Sequence, residues 1–221
     1  RRTGAREKDI VLAVGRKLAE ELRRRPGFEV ELTRDADRFS PLKERPKRAR
    51  TSGSDLFVSI HVNAEPNGGT RANGFETYFL SPARTDESSR VARLENSVLE
   101  LEGETLDFEG EAPIDKIVSM IVLDGNRDVS QDFGEVVQTG LNRVAVGKDR
   151  GTKPGPFWVL VGATGHLPAV LVELGIITTP TDVKKLTDEA YQARLAVALA
   201  DSIEEYRDRY VRSQMRRSGG G

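Results

Sequence analysis

"DLFVSIHVN", residues 55–63, sets Leu56, Val58, Ile60 and Val62 on one side and Phe57, Ser59, His61 and Asn63 on the other. That period of two reads as a β-strand with both faces in use. His61 falls near its C-terminal end, the edge at which open α/β sheets bind ligands. The flanking segments alternate in kind. "EKDIVLAVGRKLAEELRRR" carries Ile10, Val14, Leu18 and Leu22 at helical spacing, with Glu7 and Asp9 in the first turn and Arg23 to Arg25 in the last. It reads as a helix whose charges suit the dipole, closed by Pro26-Gly27. "FEVELTR" (28–34) and "GFETYFL" (74–80) read as strands, and residues 41–50 as a basic helix interrupted by Pro46. "SQDFGEVVQTGLNRV" (130–144) is helical, with Phe133, Val137, Leu141 and Val144 in phase. "PFWVLV" (156–161) and "LPAVLVELG" (167–175), continuously apolar, read as buried strands. Residues 181–211 are mostly helix, with Leu195, Leu199, Ile203 and Tyr206 along one side. Strands alternating with helices imply an α/β domain built on one sheet.

Residues 1–211 are expected to form this domain, with 84–128 inserted between core elements and 212–221 a disordered tail. Within the insertion, "ESSRVARLENSVLEL" is helical by pattern, six acids crowd residues 100–111, and "PIDKIVSMIVL" reads as a short apolar helix. No internal repeat is visible. The chain of 221 residues has no cysteine, which excludes a disulfide framework, zinc–cysteine sites and thiol catalysis. A net charge of −1 and no basic patch interleaved with aromatics argue against nucleic acid as a partner. No apolar run approaches the roughly 20 residues a membrane span needs.

Three residues stand out chemically, and each also has an ordinary explanation. His61 is one of only two histidines; it reads as a structural strand histidine or as a metal ligand. Glu173 ends an apolar strand, where burial costs several kcal/mol unless a partner or cation compensates; it either reaches water or serves a site. Glu7 suits a helix start with or without a metal. Taken together, a histidine nitrogen and a carboxylate oxygen suit zinc, and a further carboxylate can take a proton from water. The spacings are long, so no local signature demands this.

"REKDIVLAVGRKLAEEL", "LTRDADRFSPLKERPKRA", "SDLFVSIHVNA", "GFETYFLS" and "PAVLVELGIITTPTDVKKL" occur in an order that resembles the zinc-dependent N-acetylmuramoyl-L-alanine amidases of the AmiA/AmiB/AmiC type, amidase family 3. The likeness covers about residues 2–82 and 130–206. It implies a single twisted mixed β-sheet flanked by helices. It implies a peptidoglycan hydrolase that cuts the amide between N-acetylmuramic acid and the L-alanine of the stem peptide, in the periplasm or cell envelope. By the same resemblance, Glu7 and His61 bind Zn2+ and Glu173 is the catalytic acid/base. "DRGTKPGPFWVL" (149–160) resembles the loop and strand before the catalytic strand; Arg150 and Lys153 there, with Asn63, are candidate substrate contacts. The family's first zinc ligand, a histidine in a "GHGG" block upstream of "EKD", has no counterpart in this sequence. Either a longer parent chain supplies it, or the protein is a non-catalytic amidase-like binder of peptidoglycan or a regulatory partner. Two protein ligands imply weak zinc binding and little activity for the chain as given. His166 matches no ligand position and is expected in a loop. The 84–128 insertion corresponds in place to a segment that covers the zinc site in some amidases until an activator protein withdraws it.

Overall fold

The computed structural model describes residues 4–66, 69–103, 127–163 and 167–218. Helix α1 (Glu7–Arg23) buries Ile10, Val14, Leu18 and Leu22, the four-residue stripe that marks it in the sequence. Helix α2 (Glu44–Thr51) follows. Pro46 does not interrupt it, because in the first turn its missing N–H has no helical acceptor to lose. Strand β1 (Phe57–Asn63) and strand β2 (Phe75–Leu80) come next, then helix α3 (Asp86–Asn96) and one turn, α4 (Val98–Leu101). Helix α5 (Arg127–Leu141), strand β3 (Asp149–Gly155), a turn of helix α6 (Trp158–Val161), strand β4 (Ala169–Ile176) and helices α7 (Pro180–Leu186) and α8 (Glu189–Ser218) complete the chain.

The strands form one mixed sheet in the order β1-β4-β2-β3. β1 runs parallel to β4, β4 antiparallel to β2, and β2 parallel to β3. β4 is central and every residue in it is buried, which is why its sequence is a continuous apolar run broken only by Glu173. Alternation then divides the apolar residues between two cores. On one face Val62, Val170, Val172, Leu174 and Phe75 meet α1, α5 and α8. On the other Phe57, Leu171, Tyr78 and Leu80 meet Leu42, Val91, Leu99 and Phe157.

Four further expectations change. "FEVELTR" is extended but joins no ladder among the described residues; its Val30 carbonyl accepts instead from Arg23 Nη2, at 2.8 Å. "PFWVLV" is not a strand: Phe157 caps the helical turn α6, and a short apolar run does not distinguish the two states. The neighbouring "DRGTKPG", read as a loop, is strand β3, and its place at the sheet edge tolerates Pro154. The tail expected to be disordered from 212 continues α8 to Ser218, since "RSQMRRS" holds no helix breaker before the glycines. The "PIDKIVSMIVL" helix, the acidic stretch beyond Gly103 and His166 lie outside the described residues.

Candidate metal centre

Parallel pairing of β1 with β4 sets His61 directly beside Glu173, and antiparallel pairing of β4 with β2 sets Glu76 on the other side of Glu173. A bulge between Phe75 and Thr77 in the β2–β3 register then brings Arg150 and Lys153 against Glu76. His61, Glu173, Glu76 and the two cations therefore form one charged row across all four strands. The row closes the end of the sheet face covered by the second core.

At the β1 end three donors converge. His61 Nδ1 lies 3.1 Å from Glu7 Oε1 and 2.7 Å from Glu95 Oε2. One ligand atom from each of Glu7, His61 and Glu95 lies within 4.8 Å of the others. Glu7 reaches the site from the first turn of α1, and its Oε1 also accepts from the Val62 amide at 3.2 Å. Glu95 reaches it from the last turn of α3. His61 Nε2 is held by Ser59 Oγ at 3.0 Å, two residues back on the same strand face. A second contact of this kind fixes the ring orientation of a ligating histidine.

Burial disfavours charge on His61, but the Glu95 and Glu7 carboxylates overcome this and raise its pKa well above the imidazole value. Burial likewise pushes the Glu7 carboxyl up, and contact with His61 and the Val62 amide holds it below the ordinary glutamate value. Glu173 behaves oppositely. It is fully buried at 0% exposure, and neither carboxylate oxygen has a hydrogen-bond partner among the described residues. Burial, with Glu95, Glu7 and Glu76 nearby, raises its pKa well above the glutamate value despite the opposing His61. A carboxyl held in that state takes up a proton readily, as a general base requires.

This donor set suits a divalent cation. One imidazole and two carboxylates match the nitrogen and oxygen ligands zinc accepts, and two partly buried carboxylates on one ring nitrogen leave negative charge that a cation would neutralise. Glu7 and His61, far apart in sequence, are brought together, and Glu173 lies fully buried beside His61. Asn63 faces Glu76, its Nδ2 donating to Oε1 at 2.8 Å. Arg150 Nε and Lys153 Nζ donate to Glu76 Oε2 at 3.3 and 2.6 Å, and Lys153 also reaches Glu87 Oε2 at 3.0 Å. Glu76 and Glu95 escape a reading of the sequence alone. Glu76 had a signal, a carboxylate inside an apolar strand as at Glu173. Glu95 had none, because an acid on an amphipathic helix normally faces water.

The family profile described as N-acetylmuramoyl-L-alanine amidase matches residues 1–205. The chain is 32% identical over 205 residues to the YqiI protein of Bacillus subtilis (strain 168), covering 93% of this chain and 76% of that one. It is 28% identical over 207 residues to the N-acetylmuramoyl-L-alanine amidase AmiA of Escherichia coli (strain K12), covering 93% and 70%. The catalytic domain of CwlV, an amidase from Bacillus (Paenibacillus) polymyxa var. colistinus, superposes with a TM-score of 0.67 at 29% identity over 93% of this chain and 87% of that one. With the profile spanning nearly its whole length, the chain belongs to the N-acetylmuramoyl-L-alanine amidase family.

Proposed function

We propose that this peptidoglycan amidase works through a Zn2+ ion held by Glu7 and His61, with Glu173 as acid and base. The observation that carries the reading is Glu173: a buried, unpartnered carboxyl directly beside the His61–Glu7 pair. Nothing in packing explains it, since an unpaired buried polar group costs about 1–3 kcal/mol or more. Zinc, when bound, supplies Lewis acidity toward the scissile carbonyl and the attacking water. Ser59 holds Nε2 of the His61 ring and leaves Nδ1 beside the Glu7 carboxylate, so that these two groups would hold the ion. Glu173 takes the water proton on a carboxylate oxygen and delivers it to the departing L-alanine nitrogen. The substrate places the reaction in the periplasm or cell envelope, and no described helix is long and apolar enough to cross a membrane.

Helix α3 bears on regulation of this site. Glu95 offers the ion a third protein ligand, which the expectation of weak two-ligand binding did not include. Bound there, it would fill a position that a catalytic zinc site keeps open for water or substrate. We read the 84–128 insertion as a lid, with α3 its closing element and an activator protein its release.

The test is Glu173→Gln in the zinc-loaded enzyme, assayed by release of peptide amines from purified cell walls. Turnover falls by about a hundredfold or more, the range of a lost general base, while bound zinc stays unchanged. Undiminished turnover removes Glu173 from this role.

A further inference from the structure

The far end of the charged row is also met by a carboxylate of α3. Glu87, Val91 and Glu95 stand at intervals of four, on one helical face turned to the sheet, with Val91 fully buried between the two acids. Eight residues of helix separate the acids by about 12 Å. Three strand spacings separate His61 from Arg150 by about 14 Å. The helix thus lies across the strands with one acid at each end of the row.

The end at Glu87 has its own charge balance. Arg150 and Lys153 both contact Glu87, and both contact Glu76. Glu76 is 1% exposed and is a fixed part of the sheet, while Glu87 is 37% exposed and arrives from the solvent side. The two cations, at 14% and 19% exposure, lie between them. Without Glu87, two positive charges would face one buried carboxylate, leaving one positive charge for a group entering from the same side. A planar guanidinium beside a mobile ammonium suits a carboxylate.

We propose that Arg150 and Lys153 form a subsite for a carboxylate on the peptide side of the scissile amide, and that Glu87 fills this subsite in cis. The proposal rests on the amidase reading of the site. A peptide leaving Glu173 in extended form reaches the cations, two strand spacings or about 10 Å away, within roughly three residues. The ligand is therefore a peptide with an acidic group at about that distance from the cleaved bond. Substrate recognition and lid closure then use the same two cations.

Peptide binding tests this without zinc or turnover, so a failure of the amidase reading leaves the result intact. The probes are two acetylated, amidated tripeptides, alanyl-alanyl-glutamate and alanyl-alanyl-glutamine, titrated calorimetrically into metal-free protein. Wild type binds both weakly and alike. Glu87→Gln binds the glutamate peptide about tenfold more tightly than the glutamine peptide, or 1.4 kcal/mol. Adding Lys153→Met, which leaves Arg150 paired with Glu76 and no spare positive charge, abolishes the preference. The proposal is overturned if Glu87→Gln shows no preference, or if the preference survives loss of Lys153. Should Glu87→Gln fail to fold, Glu87→Ala is read by the same criteria. A preference already present at full strength in wild type contradicts occupation by Glu87.

Discussion

Glu173 is the residue whose energetics the fold leaves unbalanced. Its folded-state pKa is raised above the unfolded value, chiefly by burial. The stability it contributes is therefore fully present below the unfolded pKa and is lost as pH rises through the folded one. In chelator-treated protein, wild type should lose stability as pH rises above the ordinary glutamate range, relative to Glu173→Gln, which has no carboxyl proton to lose. Parallel denaturant titrations of the two proteins check this; equal pH dependence would contradict it. The resemblance assigned Glu7, His61 and Glu173 their roles because their blocks are compact and distinctive. Glu76 and Glu95 acquire meaning only through register and docking. Cross-strand pairing puts Glu76 beside Glu173, and the packing of Val91 aims Glu95 at His61. Neither relation has a local trace in the sequence.

Among the elements, α3 is fastened at both ends and along its length. Thr85 caps it by accepting from the Ser88 amide at 3.1 Å. Asn96 donates to the Pro156 carbonyl at 2.9 Å and accepts from the Trp158 amide at 2.9 Å. Arg90 donates to the Ala64 carbonyl at 3.0 Å, just beyond β1. Asn96→Ala removes two of these ties without touching the site. It should raise basal amidase activity severalfold if α3 is a lid, and a folded variant of unchanged activity counts against that role. Glu95→Gln should weaken zinc binding while raising activity, a split that a purely structural glutamate would not produce. At the opposite face α5 crosses α8 closely: a Cβ on Gly140 would collide with Ser202 Oγ. Gly140→Ala should cost about 1–3 kcal/mol in a denaturation experiment, the usual penalty of overpacking. Helices with long apolar stripes, α1, α5 and α8, were legible because their period is sustained over several turns. The exchange at 149–161 was not. There a glycine- and proline-bearing segment pairs at an edge, and an apolar one coils into a single turn; tertiary packing decides both against local preference.

For the molecule as a whole, one sheet serves two purposes. The face against α1, α5 and α8 is apolar and supplies stability. The opposite face is apolar for most of its breadth and ends in the charged row, so site and core share strands β1, β4 and β2. Neutralising acids at that row should stabilise the fold: by mass action, zinc at a hundredfold excess over its dissociation constant adds about 2.7 kcal/mol. The rise should shrink sharply in His61→Ala. The most direct measurement of the central claim is anomalous diffraction at the zinc absorption edge from crystals of this chain soaked with zinc. The account predicts one dominant peak about 2.0–2.2 Å from a His61 ring nitrogen and a Glu7 oxygen, with Glu173 beside it and outside bonding distance. A dominant peak elsewhere, or Glu173 itself bonded to the ion in place of Glu7, would contradict it.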